Sequence, residues 1–163
     1  MLAVGRKAPD FELPDANMEL VRLSTHRGKH HVVLFFYAHD RTPNCTREAI
    51  DFSDHETEFA QHGAVVLGVS QDDVLAHAEF CAENGLNDQF LSDYEGSVCR
   101  LYKVAKDRPQ VGLRGQNGVV RVSYVIDKAG VIRHIVPLEG TAHTHVMKIL
   151  ELVKELNNEC TKK

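Results

Sequence analysis

Residues 30–49 read HHVVLFFYAHDRTPNCTREA, and this stretch contains the strand-to-helix transition that decides the fold. Its first part, residues 30–38, is mostly apolar and does not alternate with polar residues, which predicts a central strand covered on both faces. Thr42 then supplies a helix cap, and Pro43 suits the first helical turn. The pattern therefore places Cys45 in the first turn of a helix that begins just after a buried strand.

The remaining sequence alternates between strand and helix patterns. The helix that carries Cys45 is predicted to stop at Gly63, and a second helix ends before Gly85. The other predicted elements are a hairpin over residues 10–23, strands over 64–70 and 89–94, a short helix over 95–104, a second hairpin over 119–137 and a closing helix over 143–159. This order predicts one α/β domain, residues 1–163, with a mixed central sheet flanked by helices and an N-terminal hairpin.

The composition excludes several classes of function. The formal net charge is -4, and no run of five like charges occurs, which argues against a nucleic acid or an anionic membrane surface as the main partner. The N-terminus reaches Arg6 and Pro9 before an apolar segment can form, and no apolar stretch approaches the length of a membrane span. We therefore expect a cytoplasmic protein without a membrane segment.

The cysteines and histidines suggest neither structural disulfides nor a metal site. In a reducing compartment, widely spaced cysteines are not expected to form standing disulfides, and no C-x-x-C motif occurs among Cys45, Cys81, Cys99 and Cys160. The only H-x-x-x-H runs from His26 to His30 through Gly28, and it lacks the helix that would align the two imidazoles. We expect Cys99 to be a packing residue and Cys160, near the C-terminus, to be an exposed thiol.

The predicted position of Cys45 favours a reactive thiolate. A first-turn thiol faces unpaired backbone N–H groups and the positive end of the helix dipole, and both stabilise the anion, which is the nucleophile. Thr42 lies three residues earlier, so its hydroxyl can reach the same pocket. A large acceleration also requires donors that follow charge onto a leaving group. On these residues alone, an inert first-turn cysteine remains the alternative.

Residues 42–49, TPNCTREA, resemble the active-site motif of the peroxiredoxins, thiol peroxidases whose signature is Pro-x-x-x-Thr/Ser-x-x-Cys. The flanking sequence resembles the bacterioferritin comigratory protein or PrxQ branch. The matching segments occur in the family's order: VGRKAPDFELPD at 4–15, LSTHRGKHHVVLFFY at 23–37, GVSQDDVLAHAEFCAENG at 68–85 and VRVSYVIDKAGVIRH at 120–134. The resemblance implies a thioredoxin-like fold and a thioredoxin-dependent hydroperoxide reductase that needs no metal or other cofactor.

The resemblance also assigns roles to individual residues. Cys45 matches the peroxidatic thiol, Thr42 the residue that orients the peroxide, and Arg121 the cation that stabilises the thiolate and the charge of O–O cleavage. Glu48 matches the carboxylate that holds this guanidinium by a charge-assisted hydrogen bond. The sequence departs from the motif at Ala38, where a proline that shields the thiol is usual, and at Asn44, where glycine is usual.

The resolving cysteine implied by the resemblance is Cys81. One subgroup carries this cysteine five residues after the first, but Ile50 occupies that position here. The other subgroup carries it on the following helix, where Cys81 would condense with a Cys45 sulfenic acid to an intramolecular disulfide. Cys81 shares a predicted helical face with Val74 and Ala78, which is typical of a buried cysteine. If it is buried, parts of both helices must unwind before the sulfurs meet.

The implied partners are a hydroperoxide and a dithiol reductant such as thioredoxin or a glutaredoxin-like protein, and this branch favours a monomer. Two alternatives remain at the level of the sequence. A peroxide-responsive redox sensor or holdase could use the same thiol as a switch. A glutaredoxin-like disulfide reductase is disfavoured because no second cysteine follows Cys45 closely.

Overall fold

The computed structural model describes residues 2–37, 43–86, 89–105 and 119–161, and the side chains of these residues except 43, 44, 160 and 161. The strands are β1 (Glu12–Pro14), β2 (Leu20–Arg22), β3 (His31–Phe36), β4 (Ala64–Ser70), β5 (Gln89–Ser92), β6 (Val122–Ile126) and β7 (Ile132–Pro137). The helices are α1 (Pro43–Asp54), α2 (Glu56–Gln61), α3 (Val74–Asn84), α4 (Ser97–Leu101) and α5 (Ala142–Thr161), with a 3-10 turn at Leu23–His26.

The main sheet has five strands in the order β5-β4-β3-β6-β7, with β3 in the centre. β3, β4 and β5 run parallel to one another, whereas β6 and β7 are antiparallel to their neighbours. All six residues of β3 are buried, as expected for a strand covered on both faces. The predicted mixed sheet is therefore confirmed, and the carboxyl end of its central strand leads towards α1.

Each face of the sheet packs against a different layer. Phe35 and Val33 of β3 point to the face covered by α1, α2, α3 and α5, and Leu34 and Phe36 point to the face covered by α4 and the N-terminal segment. The hairpin of β1 and β2 is joined to the edge of the sheet by a bridge between Asp15 and Leu91. No helix in the described ranges is long and apolar enough to cross a membrane.

One predicted helix is interrupted. The segment expected to run unbroken from Thr42 to Gly63 forms α1 and α2, and His55 lies between them with φ −103° and ψ 6°. The backbone N–H of His55 still donates to the oxygen of Asp51 at 3.2 Å, and Nδ1 of His55 lies 2.8 Å from the same oxygen. The N–H of Phe59 in turn donates to the oxygen of His55 at 3.0 Å, so the interruption is confined to one residue and backbone hydrogen bonds continue across it.

Two buried histidines make the fold sensitive to acid. His31 and His145 are 0% and 3% exposed, and burial lowers the pKa of both imidazoles, that of His145 to about 4. The unfolded chain binds a proton at about pH 6.5 and the native state does not, so stability is lost as the pH falls from that value towards 4. For His145 we expect a loss of about 2 kcal/mol between neutral pH and about pH 4.5, measured by urea unfolding.

The matched variant is His145→Gln, which removes the titrating group and keeps a polar side chain. Its free energy of unfolding should fall by about 2 kcal/mol less than that of the wild type over the same pH interval. His134→Gln is the comparison variant: burial also lowers the pKa of this less buried histidine of β7, so its effect should have the same sign and be smaller. If the free energy of unfolding falls equally in the wild type and in His145→Gln, His145 is not a source of the acid sensitivity.

Candidate active site

The inner face of α1 carries the candidate nucleophile. Cys45 is the third residue of the helix and is 3% exposed. Glu48, Ala49 and Phe52 are also buried, and their spacing of three, four and seven residues from Cys45 places all four on one side of the helix. The sequence therefore turns a thiol in the first turn and a carboxylate one turn later towards the same part of the core.

A buried ion pair joins this face of α1 to the sheet. Arg121 directly precedes β6, and its Nη2 donates to Oε2 of Glu48 at 2.6 Å. The side chains are 21% and 1% exposed, respectively. Burial raises the pKa of Glu48, and the charge and hydrogen bond of Arg121 offset part of that rise. The pair holds a guanidinium against the helix face that carries Cys45.

A pocket of about 520 Å³ opens beside Arg121. Ile50 of α1, Leu138 after β7 and Ala142 of α5 supply apolar walls, and Arg47 contributes a second cation. This pocket could not be predicted from the sequence, because its walls come from three elements that are distant along the chain. Its size and mixed lining suit a small molecule with a polar end and an apolar substituent.

A second polar contact, also missed from the sequence, lies next to the ion pair. Nε2 of His145, on α5, is 2.8 Å from Oγ of Ser123 on β6, and both residues are buried. The His145 ring also makes an edge contact with Phe52 of α1, with ring centroids 6.3 Å apart. The sequence did contain a signal for this buried histidine: His145 lies four residues before Ile149, a spacing that places it on the apolar face of α5.

Cys81 lies on α3 and is half-buried, so the prediction that it is buried was wrong. The side of α3 that enters the core is defined by His77 and Phe80, whereas Cys81 lies at its edge. It lines a surface groove of about 420 Å³ together with Ala16 and Asn17 of the N-terminal hairpin. Among the cysteines with described side chains, none forms a disulfide.

Of the remaining candidate residues, the structure describes the side chain of Cys99 but not those of Thr42, Ala38 and Cys160. Cys99 is fully buried; burial and the nearby carboxylate of Asp93 raise the pKa of its thiol, which suits a packing residue rather than a nucleophile. Thr42 and Ala38 lie outside the described residues, as does the side chain of Cys160. Within the described ranges, no cluster of three or more histidine, cysteine or acidic side chains could hold a metal ion.

Comparison with known proteins places this geometry in a family. The model of the AhpC/TSA family matches residues 4–135. A putative peroxiredoxin bcp from Coxiella burnetii is 40% identical over 136 residues, which cover 83% of this chain and 89% of the relative.

Two solved structures are similar over most of the chain. Peroxidoxin BcpB from Mycobacterium tuberculosis has a TM-score of 0.86 and 33% identity, covering 96% of this chain and 99% of its own. The bacterioferritin comigratory protein of Xanthomonas campestris, described for its alkyl peroxide reduction activity, has a TM-score of 0.82 and 29% identity over 90% of this chain and 92% of its own. These matches confirm the thioredoxin-like fold. The chain therefore belongs to the AhpC/TSA family and, within it, to the Bcp/PrxQ peroxiredoxins, which are thiol-dependent peroxidases.

Proposed function

We propose that Cys45 is the peroxidatic residue and that it attacks the terminal oxygen of a hydroperoxide. As the S–O bond forms, the O–O bond breaks, and the leaving oxygen takes a proton to give water or an alcohol. Cys45 is left as a sulfenic acid. The observation that carries this proposal is the Glu48–Arg121 pair, which fixes a cation against the helix face on which Cys45 lies.

In this mechanism Arg121 is the group that responds to moving charge. Negative charge passes from sulfur to the leaving oxygen in the transition state, and a preorganised guanidinium stabilises it without reorganising. Glu48 orients the guanidinium through its 2.6 Å hydrogen bond. Thr42, three residues before Cys45, would orient the peroxide through its hydroxyl, which can both donate and accept.

Arg121→Lys tests this role directly. Lysine keeps the positive charge but loses the planar fork that can bind Glu48 and a leaving oxygen together. We expect the second-order rate of Cys45 oxidation by hydrogen peroxide to fall by about 100-fold, the effect of losing one well-placed donor. The measurement is rapid mixing followed by alkylation and mass spectrometry. A wild-type rate in this variant would refute the proposal.

The pocket beside Arg121 supports organic hydroperoxides as substrates in addition to hydrogen peroxide. Ile50, Leu138 and Ala142 offer an apolar surface to the organic substituent, and Arg121 lines the same pocket. Cys45 does not line it, so in this proposal the peroxide end extends past Arg121 to reach the sulfur. The alkyl peroxide activity described for the Xanthomonas campestris relative agrees with this assignment. Hydrogen peroxide has no substituent and gains nothing from these walls.

Leu138→Asn should therefore change the preference between substrates. We expect kcat/KM for cumene hydroperoxide to fall by about 10-fold relative to kcat/KM for hydrogen peroxide, because apolar contact is lost only for the organic compound. Leu101→Asn is the matched control, since Leu101 is an exposed leucine of α4. An unchanged ratio in Leu138→Asn would show that the substituent binds elsewhere.

Recycling is proposed to proceed through Cys81. Its thiol condenses with the Cys45 sulfenic acid, releasing water and forming a disulfide that a dithiol protein of the thioredoxin or glutaredoxin type then reduces. The partial exposure of Cys81 on α3 supports this role, because an external thiolate can approach that sulfur. The protein would act as a monomeric single domain, in which both cysteines belong to one chain.

A further inference from the structure

We propose that His145 is a positioning residue for Arg121, a role that rests on the catalytic assignment of Arg121 above. The imidazole lies between α5, α1 and β6 and is 3% exposed. Its described contacts are with Ser123 and Phe52, and in the proposed mechanism it does not bind the peroxide. Its effect on the reaction is exerted through the placement of the guanidinium.

Two contacts, called levels here, lie one above the other between α1 and β6: the first joins Glu48 to Arg121, and the second joins Phe52 to Ser123 through His145. Glu48 and Phe52 are one helical turn apart on the same face of α1. Arg121 and Ser123 are two residues apart on an extended segment, so their side chains also point to one face. The extended pairing includes Arg121, whose backbone oxygen accepts from the N–H of Leu138 at 2.9 Å.

On the first level Glu48 binds Arg121 directly, at 2.6 Å. On the second level His145 spans the gap, with its ring edge against Phe52 and its Nε2 at 2.8 Å from Ser123. The second level therefore sets the separation of α1 and β6 next to the ion pair. Because a misplacement of about 1 Å in such a site can cost about 100-fold in rate, this separation matters for the guanidinium.

The chemistry of the imidazole suits this location. The hydroxyl of Ser123 is fully buried and needs a hydrogen-bond partner, which an aliphatic residue would not provide. The charged groups that face His145 are Arg121, which directly precedes β6, and Lys148 on α5, and α1 presents Phe52. Burial, followed by these two positive charges, lowers the pKa of His145 to about 4, so the ring is neutral at physiological pH and does not repel Arg121.

A double-mutant cycle tests the inference, with the rate of Cys45 oxidation by hydrogen peroxide at neutral pH as the readout. His145→Leu keeps an apolar volume but loses the bond to Ser123, and we expect its rate to fall by about 10-fold. His145→Gln can still bond to Ser123 and should stay within about 3-fold of the wild type. In an Arg121→Lys background, His145→Leu should have no further effect, because the guanidinium that it positions is already absent.

Two outcomes would overturn the inference. In the first, His145→Leu lowers the rate of Cys45 oxidation by the same factor in the wild type and in Arg121→Lys. In the second, His145→Gln reacts as slowly as His145→Leu. Ser123→Ala removes the same hydrogen bond with little loss of volume, so it replaces His145→Leu if that variant does not fold. His134→Gln is the control for a histidine elsewhere on the sheet. A wild-type rate in Arg121→Lys alone would instead refute the proposed function.

Discussion

Cys45→Ser is expected to abolish peroxide consumption, with a fall in rate of at least about 10,000-fold. A serine hydroxyl is almost fully protonated at neutral pH. A site that works through a preformed thiolate need not contain a base that would deprotonate this hydroxyl. The variant retains the size of the side chain at a position that is 3% exposed, so the fold should be preserved. The measurement is a steady-state assay coupled to thioredoxin and its reductase.

The control for this variant is Cys99→Ser, since Cys99 is also fully buried but lies on the opposite face of the sheet. Its stability is expected to fall while its peroxide reduction per folded molecule stays at the wild-type level. If Cys45→Ser consumed peroxide at the wild-type rate, another cysteine would be the one that reacts with the peroxide.

Cys81→Ser should give a different kinetic pattern. We expect a first turnover at close to the wild-type rate, because Cys81 takes no part in the attack on peroxide, and then a stall at one peroxide per protein. The sulfenic acid would lack the thiol with which we propose that it condenses, so a small thiol added in excess should restore turnover. A stopped-flow trace followed by steady-state readings separates the two phases.

Peptide mapping of the oxidised wild-type protein checks the partner assignment. We expect a bond between Cys45 and Cys81, and a bond from Cys45 to Cys99 or to Cys160 would contradict it. Cys45 is 3% exposed in the first turn of α1 and Cys81 lies on α3, so we expect oxidation to displace the turn that carries Cys45. Hydrogen exchange should then show loss of protection in the first turn of α1 on oxidation.

On formation of this disulfide, we expect α3 to lose order only at its C-terminal end. His77 anchors the preceding turns through the contact of its Nε2 with the backbone oxygen of Leu91 at 3.1 Å, and Phe80 is fully buried. Beyond them the helix ends at Gly85 in the left-handed conformation. Cys81 thus lies where the helix passes from its anchored part to its terminus, which suits a residue that must move.

Much of the fold could be predicted from local patterns. The buried run of β3, the strand over residues 64–70 and the apolar face of α5 appeared where expected, because hydrophobic spacing and caps act over a few residues. The thioredoxin-like arrangement was implied by the resemblance of the flanking segments. The break at His55 was not predictable from spacing, since the apolar positions continue through it while the backbone of this one residue leaves the helical conformation.

The sequence by itself determined most of the elements and the place of Cys45 in the first turn of a helix, because strand periodicity, caps and helix starts depend on neighbouring residues. Only the tertiary structure decided how those elements meet. The family resemblance had implied the contact of Glu48 with Arg121 across 73 positions, whereas the contact of His145 with Ser123 and the partial exposure of Cys81 came from the structure alone. Burial and hydrogen bonding of this kind are properties of the packed layers, and no short segment of the chain specifies them.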